Sequence, residues 1–197
     1  PPKDRILDMP EAWEHGESFR LEEGQVERLN LHNAHEMIGG ISYFVVDFRE
    51  GTNINVEKCN VCIDASNSYY SCSVVYSKYV GYTFWTRNSN DVFGCDSVFD
   101  SAFCINCYKS QKLSRCFEMD SCRGCAASYF CHNCENVRDS MFCFNAKNLN
   151  HAIGNAALPP EDYRKIKSLL LSQIVDELGK KKDLRWDIYN VGAAGGR

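Results

Sequence analysis

Cysteine recurs at intervals of nine residues through the middle of this chain, and this interval restricts the fold more than any other feature. All nine cysteines from Cys95 onward fall on one of two such series. A fixed repeat of this kind is typical of a solenoid, in which small units stack and bury a continuous core. Free cysteine suits such a core because it packs as a small apolar residue. The first series is Cys107, Cys116, Cys125, Cys134 and Cys143; the second is Cys95, Cys104, Leu113, Cys122, Cys131 and Ser140.

The two series are offset by three residues, and together they produce the motifs "CINC" (104–107), "CRGC" (122–125) and "CHNC" (131–134), with "CFNA" (143–146) as a variant. Residues three apart on a straight strand point to opposite faces, so both cysteines can face inward only if the chain turns between them. Asn and Gly tolerate the left-handed backbone angles that such a turn needs. The motifs therefore predict corners with positive φ at Asn106, Gly124, Asn133 and Asn145.

These features predict a mainly β fold, a β-solenoid in which short strands alternate with corners. Nine residues are too few for a complete coil, so we expect about 18–20 residues per coil, made of two units. The cysteines of one series are expected to stack in a column, about 4.8 Å apart. Phenylalanines are expected to fill the wider parts of the core: Phe99, Phe103, Phe117, Phe130, Phe142 and Phe144.

The chain divides into three parts by composition. Residues 1–25 are polar and aperiodic and predict an N-terminal arm, residues 26–155 form the Cys-rich β-solenoid, and residues 156–197 hold a helix, a strand and a tail. In "PPEDYRKIKSLLLSQIVDEL" (159–178), apolar residues at helical spacing follow two prolines and two acidic residues that suit a helix start. We expect this amphipathic helix to cap an open end of the solenoid. The alternation in "LRWDIY" (184–189) predicts a final short strand, and "GAAGGR" a tail.

At "SYFCHNCENVRDSMFCFNAKNLNHAIGN" (128–155), followed by "EDYRKIK", the chain resembles uncharacterised Cys-rich (CxxC) repeat proteins of archaea and candidate-phylum bacteria. The resemblance covers residues 95–167 at most. It implies a repeat fold and assigns no catalytic residues. The general architecture is also similar to pentapeptide-repeat-type β-solenoids, although the step here is nine residues.

Charge and hydropathy narrow the class of partner. The 197 residues carry 22 Lys and Arg against 26 Asp and Glu, a net charge of −4, which disfavours nucleic acid and anionic membranes as partners. No apolar stretch reaches the roughly 18 residues of a transmembrane helix. Twelve cysteines with a normal core composition favour a reducing compartment. We expect a protein of the cytoplasm or of a particle, and an extracellular location stays open because the chain starts at Pro1 without Met.

Metal binding is the main alternative to structural packing. Cys104, Cys107, Cys122 and Cys125 have spacing close to that of a four-cysteine zinc site, and Cys131 and Cys134 could replace one pair. Cys116 and Cys143 continue the nine-residue interval without forming a CxxC pair. A stacked core needs these additional cysteines, whereas a tetrahedral metal site does not. His132 lies inside "CHNC" and is expected to face solvent. The sequence therefore favours no metal, with zinc or an iron–sulfur cluster as the alternative cofactor.

The predicted function follows from these choices. No phosphate-binding loop and no single activated thiol stands out, so no catalytic or cofactor-binding residue is assigned. An enzymatic function stays an open alternative, and the sequence disfavours it. We expect a structural or scaffold β-solenoid that acts through protein–protein contacts, as a homo- or hetero-oligomer within a larger assembly. The alternative function is a zinc- or iron–sulfur-binding protein that uses the CxxC pairs.

Overall fold

The computed structural model describes residues 2–193. The part before the solenoid is a series of short elements joined by turns. An Asp8–Glu11 capping box starts the longest of its helices. The arm predicted over residues 1–25 is therefore partly helical. The elements are a 3-10 turn Lys3–Arg5, β1 Ile6–Leu7, α1 Met9–Ser18, α2 Glu23–Val26, α3 Ala34–Met37 and β2 Phe44–Val45, with β1 parallel to β2.

A β-solenoid follows, and its regular pairing begins at Phe48, later in the chain than residue 26. Its strands are β3 Phe48–Glu50, β4 Ile54–Glu57, β5 Val61–Ile63, β6 Ser66–Tyr69, β7 Ser73–Val75, β8 Lys78–Gly81, β9 Trp85–Arg87, β10 Asn90–Phe93, β11 Ser97–Phe99, β12 Ala102–Tyr108, β13 Ser110–Gln111, β14 Ser114–Asp120, β15 Tyr129–His132, β16 Arg138–Met141, β17 Asn150–Ile153 and β18 Ala156–Ala157. They form a ten-stranded sheet in the order β18-β17-β16-β15-β14-β12-β10-β8-β6-β4 and a six-stranded sheet in the order β13-β11-β9-β7-β5-β3.

The coil contains 12 residues, because successive strands of a sheet pair with that offset: Asn90 lies beside Ala102, and Ser73 beside Trp85. The mainly β solenoid is confirmed, and the expected 18–20 residues per coil is wrong. About nine such coils stack in parallel between Phe48 and Ala157. Among the strands in the described part of the chain, only β17 and β18 pair antiparallel, at the end of the stack.

Each coil is built from four three-residue units. Every third residue from Cys59 to Ala152 points inward, and the residue before it has positive φ at most corners. Twelve residues therefore place four inward side chains in each coil, and these stack in four columns. The columns are Cys59, Ser71, Thr83, Cys95, Cys107, Met119, Cys131, Cys143; Cys62, Val74, Thr86, Val98, Ser110, Cys122, Cys134, Ala146; Ala65, Ser77, Ser89, Ser101, Leu113, Cys125, Val137, Leu149; and Ser68, Val80, Val92, Cys104, Cys116, Ser128, Ser140, Ala152.

The interior is rich in Ser and Cys because the corners leave backbone groups that need buried partners. The Ser101 hydroxyl donates to the Phe99 carbonyl at 2.7 Å and accepts from the Leu113 backbone N–H of the next coil at 2.9 Å. Cys95 repeats this arrangement, with its sulfur 3.3 Å from the Phe93 carbonyl and 3.2 Å from the Cys107 nitrogen. A small inward side chain with a donor and an acceptor thus satisfies two coils at once.

The predicted corners are confirmed. The φ angles are 51° at Asn106, 62° at Gly124, 51° at Asn133 and 54° at Asn145. Side-chain amides outside the corners also stack, since Asn133 Nδ2 donates to Asn145 Oδ1 at 2.9 Å. Asn therefore serves both the backbone turn and the contact between coils.

The predicted C-terminal helix is confirmed as α4, Pro160–Lys181, which ends at Lys182 with φ of 58°. It lies against the outward side of the last strands: Tyr163 packs beside His151, and Lys167 Nζ lies 3.3 Å from Asp139 Oδ1. Ala146 and Leu149, at the end of the core, stay partly exposed. None of the helices in residues 2–193 is long and apolar enough to span a membrane.

The strand predicted over residues 184–189 is wrong. This part of the chain forms a turn in which Asp187 Oδ1 accepts from the backbone of Tyr189 and Asn190. The backbone N–H of Ile188 donates to Glu118 Oε2 at 2.8 Å and ties the turn to the solenoid. The predicted tail begins at residue 192, and the part of it after residue 193 lies outside the described residues.

Candidate functional site: the thiol core and the aromatic face

The cysteines form the core, and eleven of the twelve are buried. Cys72 alone is partly exposed, and all twelve are free thiols. The five cysteines of the first series are each at most 2% exposed, so their predicted inward orientation is confirmed. The prediction that they stack in a single column is wrong, because a step of nine residues is one 12-residue coil less one three-residue unit. The series therefore winds diagonally over all four columns.

Diagonal neighbours in the series contact each other through thiol and backbone. Cys107 Sγ lies 3.7 Å from the carbonyl of Cys116, and Cys134 Sγ lies 3.3 Å from that of Cys143. Each of these sulfurs also lies near the carbonyl two residues before it, 3.4 Å for Cys107 and 3.3 Å for Cys134. The nine-residue interval is thus the spacing between a thiol and the backbone carbonyl that it approaches in the next coil.

Burial raises the pKa of several of these thiols, whereas hydrogen bonds with neighbouring thiols lower the pKa of Cys95, Cys125, Cys134 and Cys143. Burial raises the pKa of Cys116 to about 12 and that of Cys62 to about 11. Hydrogen bonds with neighbouring thiols, together with burial, raise the pKa of Cys122 and Cys131 well above the ordinary range. A protonated, buried thiol is a poor nucleophile and a poor metal ligand.

The six cysteines of the metal alternative are distributed over all four columns. Cys122 and Cys134 stack in one column, Cys107 and Cys131 belong to a second, Cys125 to a third and Cys104 to the fourth. The sulfur of Cys122 lies 3.1 Å from the Asp120 carbonyl. Over residues 2–193, no group of three or more Cys, His, Asp or Glu side chains is arranged to hold a metal ion.

His132 takes part in a contact that the sequence did not indicate. Its Nδ1 lies 2.8 Å from Oδ2 of Asp120, which occupies the equivalent position one coil earlier. Ser121 Oγ donates to the other oxygen of the same carboxylate at 3.2 Å. In a hydrolytic triad the hydroxyl bonds the imidazole, whereas here both groups bond the carboxylate. The cluster therefore lacks the geometry of an activated nucleophile.

The phenylalanines lie outside the core, which corrects the expectation that they fill it. Phe103 is 55% exposed, and Phe130 is buried on the outer side, near α4. A coil with four inward side chains has room for residues the size of Cys, Ser and Val. Aromatic residues are consequently displayed on the surface.

We call one group of these side chains the aromatic face. Tyr82 is its centre, with ring centroids 5.7 Å from Tyr69, 5.6 Å from Tyr70 and 5.2 Å from Phe93. Gly81 leaves room for the Phe93 ring, since a Cβ at residue 81 would come within 2.9 Å of it. The face comprises Tyr69, Tyr70, Tyr79, Tyr82, Phe93, Phe103 and Ile105, all of which are exposed.

The aromatic face continues along the solenoid beneath the chain's own C-terminal helix. Ile105, Phe117 and Tyr129 pair in register on the ten-stranded sheet, and Lys167 of α4 lies over the Tyr129 ring at 5.3 Å. Leu170 and Ile174 of α4 line an apolar cavity together with residues of the same surface. The C-terminal half of this surface is therefore covered by an amphipathic helix, and the N-terminal half is exposed.

A groove of about 650 Å³ adjoins the exposed half. Its lining includes Tyr70, Tyr82, Asp47, Arg49 and Cys72. The sequence does not reveal this site directly, because the outward residues form columns only at a spacing of 12 residues. At that spacing Tyr70 and Tyr82 align, as do Tyr69, Phe93 and Ile105, with Gly81 between them.

No protein-family model, no curated protein and no solved structure matches this chain. The comparisons give no support to the resemblance to Cys-rich repeat proteins of archaea and candidate-phylum bacteria. The architecture agrees with the likeness to pentapeptide-repeat-type solenoids. The fold places the chain in the class of β-solenoids, with coils of four three-residue units.

Proposed function

We propose that this protein is a rigid structural scaffold within a larger assembly, and that it acts through protein–protein contacts at the aromatic face. The observation that carries the proposal is the exposure of Tyr69, Tyr70, Tyr82 and Phe93 as one contiguous network of rings. Contiguous apolar patches on a protein surface mark interaction sites, and Tyr in particular contributes strongly to interfaces.

The covered half of the same surface supports an amphipathic helix as the partner element. Tyr163, at the start of α4, is only 1% exposed where it packs beside His151. A partner's helix could bury Tyr82 and Phe93 in the same way, with its polar side toward solvent. At the edge of the face, Lys58 Nζ donates to the Tyr69 hydroxyl at 3.0 Å.

The thiol core supports the structural part of the proposal. Hydrogen-bonded hydroxyl and thiol columns connect each coil to the next, as the Ser101 contacts illustrate. Stacked repeats of this kind hold a surface in fixed shape over many coils. A fixed surface favours binding by a scaffold, because little conformational entropy is lost on association.

Site-specific photo-crosslinking tests the proposal in the cells that produce the protein. A photoreactive phenylalanine analogue at residue 82 is expected to give a discrete protein adduct, and the adduct should disappear when Tyr70→Ser and Phe93→Ser are added. The matched control carries the same analogue in place of Asn136, which is exposed on another side of the solenoid. Equal adducts at both positions, or none at residue 82, would contradict the proposal.

Elemental analysis of the native protein separates the scaffold from the alternative function. A structural zinc site holds about one ion per chain through thiolate ligands. Zinc in that amount, or an iron–sulfur absorption that disappears in the Cys104→Ala/Cys107→Ala double variant, would favour the metal-binding function over the scaffold.

A further inference from the structure

Residues 2–47, which we call the N-terminal segment, contain no buried residue. Local contacts give the segment its shape: the capping box of α1, the pairing of β1 with β2, and His15 Nε2 at 2.9 Å from the Gly40 carbonyl. A two-stranded sheet and short helices without a core are marginal in water. A further surface is therefore needed to hold the segment in this form.

Apolar side chains of the N-terminal segment are displayed to solvent. Trp13 of α1 is 68% exposed and Leu31 is 95% exposed. The other large apolar residues exposed there are Ile6, Phe19, Val26, Leu29, Ile41, Phe44, Val45 and Val46. This density of exposed apolar groups in fewer than 50 residues is typical of a segment that becomes buried on association.

The charge of the chain is unevenly distributed. Through residue 47 there are four Lys and Arg against ten Asp and Glu, a net charge of −6. From residue 108 to the end there are fourteen Lys and Arg against ten Asp and Glu, a net charge of +4. The two ends of the sequence are therefore complementary in charge.

The outer surface of α4 combines apolar and basic side chains. Leu169 is 59% exposed on the side away from buried Tyr163, and Ile166, at the edge of the packed side, is 39% exposed. Lys165 lies one helical turn before Leu169, and three lysines close the helix at residues 180–182. An acidic segment with exposed apolar residues matches this surface in both respects.

The N-terminal segment and α4 lie at opposite ends of the solenoid. Eight strand-to-strand steps separate β4, beside the segment, from β17, against which α4 packs. At about 4.8 Å per step this is about 38 Å. A second copy can present its α4 to the segment without any rearrangement of the coils.

We propose that the N-terminal segment of one copy packs on the outer surface of α4 in a second copy, so that copies assemble head to tail. This inference rests on the proposed scaffold function and names one of its partners, a further copy of the chain. Different patches meet in such a contact, so it produces a ring where the rotation closes and a filament where it does not.

Light scattering of the full chain after size-exclusion chromatography tests the proposal over a series of protein and NaCl concentrations. We expect masses above that of the monomer, which fall as NaCl rises from about 50 mM to about 500 mM because salt screens exposed charges. Trp13→Glu and Lys165→Glu should each weaken association about tenfold or more, since each places an uncompensated charge at the contact. All the substituted positions are exposed, so circular dichroism should be unchanged.

Two further variants make the test specific. Lys109→Glu changes the same charge at an exposed corner of the solenoid away from α4 and should leave association unchanged. Glu17→Lys, one turn after Trp13, should restore part of the association lost in Lys165→Glu.

A chain that stays monomeric at every concentration, or an equal loss in Lys109→Glu, would overturn head-to-tail assembly. Hydrogen exchange adds a second criterion, because the amides of α1 should be protected only in the associated form. Protection in a monomer would mean that the chain's own surface covers the segment, and would also overturn the inference. A monomer that still gives the adduct at residue 82 would leave the scaffold function standing while the head-to-tail inference fails.

Discussion

Substitution of Asn133 by Val tests the corner geometry on which the twelve-residue coil depends. Asn133 has a φ of 51°, and its side chain donates to Asn145 of the next coil. Many residue types occupy such corners here, including Tyr76, Lys109 and Ala127. Within residues 2–193, no Val, Ile or Thr has a positive φ. A second heavy atom on Cβ crowds the backbone in the left-handed region, which explains this exclusion.

The expected magnitude has two parts. Loss of the exposed amide contact to Asn145 should lower the free energy of unfolding by about 0.5–1.5 kcal/mol. The left-handed backbone should cost Val about 1–3 kcal/mol more. Asn133→Ala isolates the first part, because Ala127 adopts a φ of 48° without branching. Asn133→Gly removes the Cβ altogether and should be no worse than Asn133→Ala.

Urea unfolding under reducing conditions, followed by circular dichroism, measures these differences. Stacked repeats can unfold in parts, so equal slopes with denaturant are needed before midpoints are converted to free energies. Hydrogen exchange of the amides in residues 120–145 should show the loss locally. If Asn133→Val and Asn133→Ala agree within about 0.3 kcal/mol, the reasoning on corner strain is refuted.

Three further predictions concern the core and the helix. Ser101→Ala should lower the free energy of unfolding by about 1–3 kcal/mol, because the Leu113 N–H loses its buried acceptor. Ser101→Cys should retain most of the stability of the original protein. Equal losses for the two variants in urea unfolding would contradict the role of the inward donors and acceptors. The buried hydroxyl of Tyr163 has no hydrogen-bond partner among residues 2–193. Tyr163→Phe should therefore keep or raise the melting temperature, and Tyr163→Ala should lower the free energy of unfolding by about 3–5 kcal/mol. A large loss in the Phe variant would show that the hydroxyl is paired. The pKa of Cys116 rises from its ordinary value of 9.0 to about 12 on folding, so between these pH values the folded chain holds a proton that the unfolded chain releases. The free energy of unfolding should therefore fall as pH rises from about 9 to about 12. Denaturation measured against pH should show a smaller fall in Cys116→Ser.

The local rules of the coil could be read from the sequence. The offset of three between the two cysteine series predicted corners at Asn106 and Asn133 and an inward orientation for the cysteines. The reason is local: the backbone angles of Asn and Gly and the size of Cys act within a few residues. The helix at residues 160–181 was predictable for the same reason, since its caps and its apolar side lie in one continuous stretch.

The length of the coil was decided only by the tertiary structure. A unit of three residues permits any coil whose length is a multiple of three. The interval of nine fits a diagonal thiol-to-carbonyl contact between coils as well as it would fit a vertical column. Hydrogen bonds between coils select a coil of 12 residues, because that register stacks Ser89 on Ser101 and lets inward Ser and Cys side chains accept from the backbone of the next coil.

The surfaces were likewise set by tertiary packing. Residues 184–189 alternate like a strand and yet form a turn, in which the Glu118 carboxylate accepts a hydrogen bond from the Ile188 N–H. Phe130 lies under the C-terminal part of the chain and Phe103 in solvent, although both occupy the same outward place in their units. Sequence determines which residues point outward through backbone angles within each unit. Whether an outward ring is covered depends on where distant parts of the chain come to rest, and that is a property of the folded molecule alone.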